Sequence, residues 1–329
     1  PDEPTPAAVR RYLAEFLWDP RVVEMPRWLW WFALHGIILR VRPGKVARAY
    51  QSVWTDTGSP LLAITRRQGE CLQAVLDTQH QAPADVAIAM RYGNPSIASA
   101  LKDLRDKGVQ RLLILPMYPQ YSATTTASVY DAVFDEIKTW RRVPELRLIQ
   151  TYYNDAGYIQ ALKASVEQYW QQHGRAERLL MSFHGIPKSS IAAGDPYHFE
   201  CLETSRLLAE ALGLAETDYA ITFQSRFGRD EWLKPATDHT LVEWGKSGVK
   251  SVQVICPGFS ADCLETLEEI DEQNRNFFLK SGGESFSYIP ALNDSDDHIN
   301  ALADLVLQHL QGWQETEAGS QDQVRVRGA

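Results

Sequence analysis

Two short segments hold most of the side chains able to do chemistry. One is Ser182-Phe-His184-Gly-Ile-Pro187; the other is Cys256-Pro-Gly-Phe259-Ser-Ala-Asp262-Cys-Leu-Glu265. Each comes after a short apolar run that reads as a buried strand. Open parallel sheets bind ligands beyond the carboxyl ends of their strands, where both segments fall. An imidazole and a carboxylate meeting there can hold a cation or pass protons. The competing reading is structural, with His184 bonded to a loop carbonyl and Glu265 complementing a helix N-terminus.

The residues after Glu265 extend this chemistry. On an α-helix from Asp262 to Glu272, the side chains Asp262, Glu265, Glu269 and Glu272 fall within an arc of about 80°. Leu264, Leu267 and Ile270 form the apolar side. Such a stripe is either a solvated face or a ladder for divalent cations. No lysine lies near enough in sequence to neutralise it, and Arg275 comes only after it, which favours the ladder. A third segment, Leu115-Pro-Met-Tyr118-Pro-Gln-Tyr121-Ser122-Ala-Thr-Thr-Thr126, offers hydroxyls and backbone N–H groups for an anion, or a helix N-cap. A fourth, residues 5–60, combines Trp18, Trp28, Trp30, Trp31 and Trp54 with Arg21, Arg27, Arg40, Arg42 and Arg48. It suits a flat aromatic ligand bearing carboxylates, a membrane interface, or an ordinary packed helical lid.

The elements that must carry these groups can be read from periodicity. Apolar runs predict strands at Asp85–Met90, Arg111–Leu115, Leu146–Tyr152, Leu179–Phe183, Tyr219–Phe223 and Ser251–Cys256. Helical periods lie between them at Pro95–Lys107, Ser128–Trp140, Ala156–His173, His198–Leu212 and Pro235–Ser247. This alternation predicts an α/β fold with parallel sheets flanked by helices. A weak repeat relates Met90-Arg-Tyr-Gly93 to Ser225-Arg-Phe-Gly228, and Pro116-Met-Tyr-Pro119 to Cys256-Pro-Gly-Phe259. It predicts two similar Rossmann-like domains facing across an active cleft. The first spans 1–145 with a returning helix at 296–313; the second spans 146–295; residues 314–329 read as a disordered tail. By symmetry with Leu179–Phe183, the opening strand of the first domain is expected upstream of Pro1, which leaves residues 5–60 as an insertion.

Composition limits the partners. The chain has 329 residues, 33 Lys and Arg against 42 Asp and Glu, and a net charge of −9. So acidic a chain is not built to coat a nucleic-acid backbone. Cys71, Cys201, Cys256 and Cys263 form no C-x-x-C pair, which suits a reducing cytosol rather than a disulfide scaffold. No signal peptide is legible, and the longest nearly apolar run, Trp28–Leu39, is too short to span a bilayer.

Four motifs in order, Leu115–Ser122, Ser182–Pro187, Phe223-Gln-Ser-Arg-Phe-Gly228 and Cys256–Ile270, resemble the ferrochelatases in their proteobacterial form. The likeness runs from Pro1 to about Trp313. It implies a lyase of haem biosynthesis that inserts Fe²⁺ into protoporphyrin IX, with His184 and Glu265 serving the metal and the pyrrole protons. It implies an acidic ladder of Asp262, Glu265 and Glu269, and porphyrin contacts at Arg91, Tyr92, Tyr118, Trp232 and Phe259. Fe²⁺ is then a substrate. No iron–sulfur cluster is expected, since residues 314–329 hold no Cys and Ala123 sits within the Tyr-Ser-x-Thr-Thr run. The expected form is a cytoplasmic monomer or weak dimer, with peripheral membrane contact through the Trp-rich lid. Two other readings stay open on the sequence alone. One is a chelatase for coproporphyrin or sirohydrochlorin; the other is a non-enzymatic haem-binding module.

Overall fold

The computed structural model describes residues 1–79, 84–226 and 230–313. The expected tail at 314–329 and Gly228 of the repeat motif lie outside the described residues. Among the described residues there are two parallel sheets. The smaller joins β1 (Arg111–Ile114) to β2 (Glu145–Leu148). The larger contains β3 (Arg178–His184), β4 (Tyr219–Gln224), β5 (Ser251–Ile255) and β6 (Ser285–Tyr288), in the order β4-β3-β5-β6.

The larger sheet explains itself from its sequence. Leu179, Met181 and Phe183 point into one apolar cluster, while Leu180 points into another with Val252, Val254 and Ile270. A strand covered on both faces needs no polar alternation, and β3 has little. The first cluster also takes in Leu72, Ile149 and Leu302, so one continuous core runs between the two sheets. Helix Asp296–Leu310 packs against helices Pro60–Gln79 and Ala156–His173, where Gly157 lets Ala301 approach closely.

The expected strand at Asp85–Met90 is absent as a paired strand. Residues 84–90 run without a ladder, with one bridge from Met90 to Ser96. Val86 and Ile88 are half-buried while Asp85, Ala87 and Ala89 are exposed. The backbone of this segment is bonded to a helix side chain and not to a neighbouring strand: Val86 N–H donates to Gln73 Oε1 at 2.7 Å, and Gln73 Nε2 donates to Ala84 O at 2.8 Å. Ile88 instead packs on helix Pro60–Gln79, where a Cβ at Gly69 would lie 2.6 Å from its Cγ2. The repeat still shows in the turns after these segments. Met90 N–H donates to Pro95 O at 2.7 Å, as Phe223 N–H donates to Pro235 O at 2.9 Å.

Residues 6–53 form a helical subunit with its own core. Helix Pro6–Trp18 starts at an N-cap, Thr5, whose side chain accepts from Ala8 N–H. Helix Arg27–Ala33, a π-turn Leu34–Ile38 and helix Leu39–Val53 come next. Val9, Leu13, Leu17, Leu34, Leu39 and Ala47 form the core. The opposite side leaves Trp28, Phe32, Ile37 and Val41 63–72% exposed. No helix among the described residues is long and apolar enough to cross a membrane.

Candidate functional site

His184 is the last residue of β3, paired in register with Gln224. Its Nδ1 lies 2.7 Å from the Gly185 carbonyl oxygen. That oxygen only accepts, so Nδ1 carries the proton and Nε2 keeps its lone pair. The turn requires glycine next. A Cβ at Gly185 would stand 2.8 Å from Gln224 O and 3.2 Å from the ring of Trp232. Trp232 is buried behind this turn, bridged to Pro187.

The second segment leaves β5 through a turn in which Phe259 N–H donates to Cys256 O at 3.0 Å. Phe259 is half-buried. The helix beyond this turn is not the expected α-helix: Glu265–Asn274 is a π-helix. Its i→i+5 bonding makes each turn wider than 3.6 residues, so an α-helical projection misplaces the later side chains. Glu265 and Glu269 stay half-buried, whereas Glu272 faces solvent and leaves the stripe. The expected ladder thus loses its last rung.

Glu269 is gripped by Ser225, whose N–H and Oγ donate at 2.8 and 2.5 Å. Burial raises the Glu269 pKa, and the nearby Glu265 charge adds to it; the Ser225 bonds and the His184 charge offset part of this. Behind Glu269 lies a cavity of about 570 Å³, lined also by Ser225, Asp238 and Asn274. Glu265 lies near three phenols. Burial first, and then neighbouring groups including the Glu265 charge, hold Tyr12, Tyr50 and Tyr118 protonated.

Asp262 is placed differently from an open rung. It is 7% exposed. Its Oδ1 accepts from Tyr288 OH at 2.7 Å, Thr266 Oγ1 at 3.0 Å and Ala291 N–H at 3.3 Å. Its Oδ2 accepts from Asn293 Nδ2 at 2.8 Å. With four donors on two oxygens, it anchors the start of the π-helix. Arg91 and Tyr92 are also committed elsewhere. Arg91 Nη2 and Tyr92 OH donate to Asp19 Oδ2 at 2.5 and 2.8 Å, and Arg91 Nε donates to Ser128 Oγ at 2.6 Å. These bonds tie the first sheet's loops to the end of helix Pro6–Trp18. The expected anion site at Ser122–Thr126 is filled by the chain itself. Asp195 accepts from Ala123 N–H at 2.7 Å and Ser122 Oγ at 2.9 Å.

Sequence reasoning missed four contributors. Tyr12 and Tyr50 form a T-shaped pair at 6.4 Å within a row continued by Phe16 and Tyr92. Their signal is aromatic spacing of four, Tyr12 with Phe16 and Tyr50 with Trp54, which marks one helix face. Ser225 and Asn293 are the non-glycine residues with positive φ among the described residues, at 65° and 50°. Nothing in their local sequence announces that. Among the described residues, no three His, Cys, Asp or Glu side chains converge closely enough to hold a resident metal ion.

Parallel sheets flanked by helices, with a histidine at one strand end and a carboxylate π-helix after another, define a chelatase-like protein. Two solved structures share the fold. SirB from Bacillus subtilis with Fe³⁺ superposes with a TM-score of 0.56 at 12% identity, covering 76% of this chain and 91% of that one. The sirohydrochlorin chelatase SirB from Bacillus subtilis subspecies spizizenii with cobalt gives 0.51 at 10% identity, covering 76% and 92%. The ferrochelatase family model matches residues 1–310, and the chain belongs to that family. Ferrochelatase of Nitrosococcus oceani is 57% identical over 319 residues, 97% of this chain and 86% of the relative. That of Thioalkalivibrio sulfidiphilus is 55% identical over 329 residues, 100% and 89%.

Proposed function

We propose that His184, Glu265 and Glu269 form the metallation centre of this ferrochelatase. The family's reaction inserts Fe²⁺ into protoporphyrin IX, giving protohaem and two protons; that is the activity of this chain, a lyase of haem biosynthesis. Family membership disfavours the coproporphyrin, sirohydrochlorin and non-enzymatic readings. Within that reaction the side chains have distinct tasks. A flat porphyrin hides its nitrogen lone pairs, so the site must bend the ring, and contacts elsewhere on the ring offset the cost. His184 Nε2, with its lone pair free, takes the first pyrrole proton or passes Fe²⁺ to the ring. Glu265 takes the second, and the phenols of Tyr12, Tyr50 and Tyr118 steady its charge. Glu269 relays protons or cations towards the cavity behind it. Trp232 and Phe259 shape the floor, Tyr118 is a ring contact, and Arg91 and Tyr92 act through Asp19.

The observation carrying this reading is the way the end of β4 joins the three residues: Gln224, in register with His184, donates through Nε2 to Glu265 O at 3.3 Å, and Ser225 beside it holds the Glu269 carboxylate. Glu265→Gln tests it. The expected result is a loss of about 100-fold or more in kcat with porphyrin fluorescence quenching unchanged, in the range of a lost general base. Turnover within threefold of the parent contradicts the assignment of Glu265.

The chain is read as working without an iron–sulfur cluster. Burial holds the Cys201, Cys256 and Cys263 thiols well above their usual pKa, which disfavours the thiolates a cluster needs. Acid-labile sulfide in the purified protein would contradict this. Membrane contact is supported by a specific surface. Trp28, Phe32, Ile37 and Val41 stand exposed beside Arg40 and Arg42 on a chain otherwise acidic. Such a face suits the headgroup boundary of a bilayer. The reading is therefore a cytoplasmic protein, monomeric or weakly dimeric, touching the membrane peripherally. Trp28→Ser with Phe32→Ser should weaken co-sedimentation with anionic vesicles and leave turnover in detergent-free buffer unchanged.

A further inference from the structure

The loop between β6 and helix Asp296–Leu310 contains a polar hub that the metallation chemistry does not use. Asn293 sits at its centre with φ 50°. Its side chain makes two bonds to one residue. Asn293 Nδ2 donates to Asp262 Oδ2 at 2.8 Å, and Asp262 N–H donates to Asn293 Oδ1 at 2.8 Å. Its carbonyl oxygen accepts from Gln68 Nε2 at 2.9 Å and faces His298 Nδ1 at 2.7 Å. Gln68 Nε2 also donates to Ser260 O at 2.8 Å, and next door Arg67 pairs with Asp294 at 2.8 Å. Helix Pro60–Gln79 therefore grips the turn at 293–294, and the turn grips Asp262, three residues before Glu265.

A left-handed backbone at a residue other than glycine persists where the surroundings over-determine it. Here it lets one amide reach both the backbone and the carboxylate of Asp262. Asp262 in turn receives Thr266 Oγ1, inside the first turn of the π-helix. A chain of bonds thus runs from Gln68 through Asn293 and Asp262 to Thr266 in the π-helix that carries Glu265 and Glu269.

We infer that Asn293 is a positioning residue for the metal-handling face of the π-helix: its amide fixes Asp262 and so sets the approach of Glu265 and Glu269 to the entering Fe²⁺. The inference rests on the proposed role of those two glutamates. Two variants separate aim from fold. Asn293→Gly keeps the left-handed backbone and removes the amide. Asn293→Asp keeps the acceptor and removes the Nδ2 donor. Each is assayed anaerobically with Fe²⁺ and protoporphyrin IX, beside a thermal melt and a porphyrin fluorescence titration. Expected in both is a fall in kcat of about 10- to 100-fold, the usual effect of losing an outer support of a metal-handling group. KM for Fe²⁺ rises at least threefold, and the porphyrin Kd stays within twofold. Asn293→Gly added to Asp262→Asn should cost less than the product of the two single losses, because both act through one contact. Asn293→Asp decides alone if Asn293→Gly does not fold. An unchanged kcat and metal KM overturns the inference. So does a loss that tracks the folded fraction with metal KM unchanged. Failure of the parent chain to metallate would instead strike the proposed role of the glutamates.

Discussion

His184 owes its usefulness to one hydrogen bond. Because Gly185 O takes the Nδ1 proton, Nε2 is left as a base or ligand. Its type and place were legible in the sequence, since the first polar side chain after an apolar strand stands at the sheet's carboxyl edge. Its tautomer was not, because a backbone carbonyl has no signature in sequence. The same holds for Arg91 and Tyr92, whose partner Asp19 lies more than 70 residues away. A different acid gives a pH prediction. Glu200, buried, accepts from Tyr121 N–H at 2.6 Å and Thr151 Oγ1 at 2.7 Å. Burial lifts its pKa above the ordinary 4.5; those bonds oppose the lift and Asp195 adds to it. The folded state then holds a proton that the unfolded chain has released. Glu200's contribution to stability is greatest below pH 4.5 and falls as pH rises towards the raised value. Glu200→Gln, which cannot ionise, should therefore gain stability relative to the parent as pH rises through that window. Urea midpoints measured from pH 4 to 8 check this, and a constant difference would refute it.

At the scale of elements, the π-helix decides which acids serve the site. The stripe of acids was visible as composition; that Glu265 and Glu269 lie half-buried while Glu272 faces solvent was not, because i→i+4 and i→i+5 helices use the same residue types and the choice is made by the anchors. Asp262 is the anchor that can be tested. Asp262→Ala strands Tyr288 OH, Asn293 Nδ2 and Ala291 N–H in the interior. A loss of about 2–4 kcal/mol is expected, from partly relaxed unsatisfied groups. Chemical denaturation measures it; a loss under about 1 kcal/mol would mean that the anchor is not one. The lid aromatics were also hidden for a physical reason. Tyr12, Phe16, Tyr50 and Trp54 at helical spacing look like ordinary core, and it is the packing of the helical segment on the π-helix that brings Tyr12 and Tyr50 near Glu265.

Across the whole molecule, the net charge of −9 is divided. Residues 262–272 hold six acids and no base, while residues 1–50 hold eight bases and five acids. The first lies on and just before the π-helix proposed to handle the metal; the second lies mostly in the helical segment 6–53. β3 is bonded on both sides by β4 and β5, whereas residues 84–90 are held by separate bonds, Val86 N–H donating to Gln73 Oε1 and Met90 N–H to Pro95 O, each at 2.7 Å. Alternating strands and helices revealed three strands of the larger sheet to within a residue at each end, because those strands are apolar, and missed β6, in which serines alternate with aromatics. They over-read Asp85–Met90, because a strand pattern cannot say whether a partner is present.

The proposed metallation turns on His184, and anaerobic absorbance probes that residue without intermediaries. Protoporphyrin IX and Fe²⁺ are mixed with the parent chain and with His184→Ala, each first shown by fluorescence titration to bind the porphyrin. Haem formation is expected from the parent, and none above the uncatalysed rate from His184→Ala. Haem formed by His184→Ala at the parent rate would contradict the role given to this side chain.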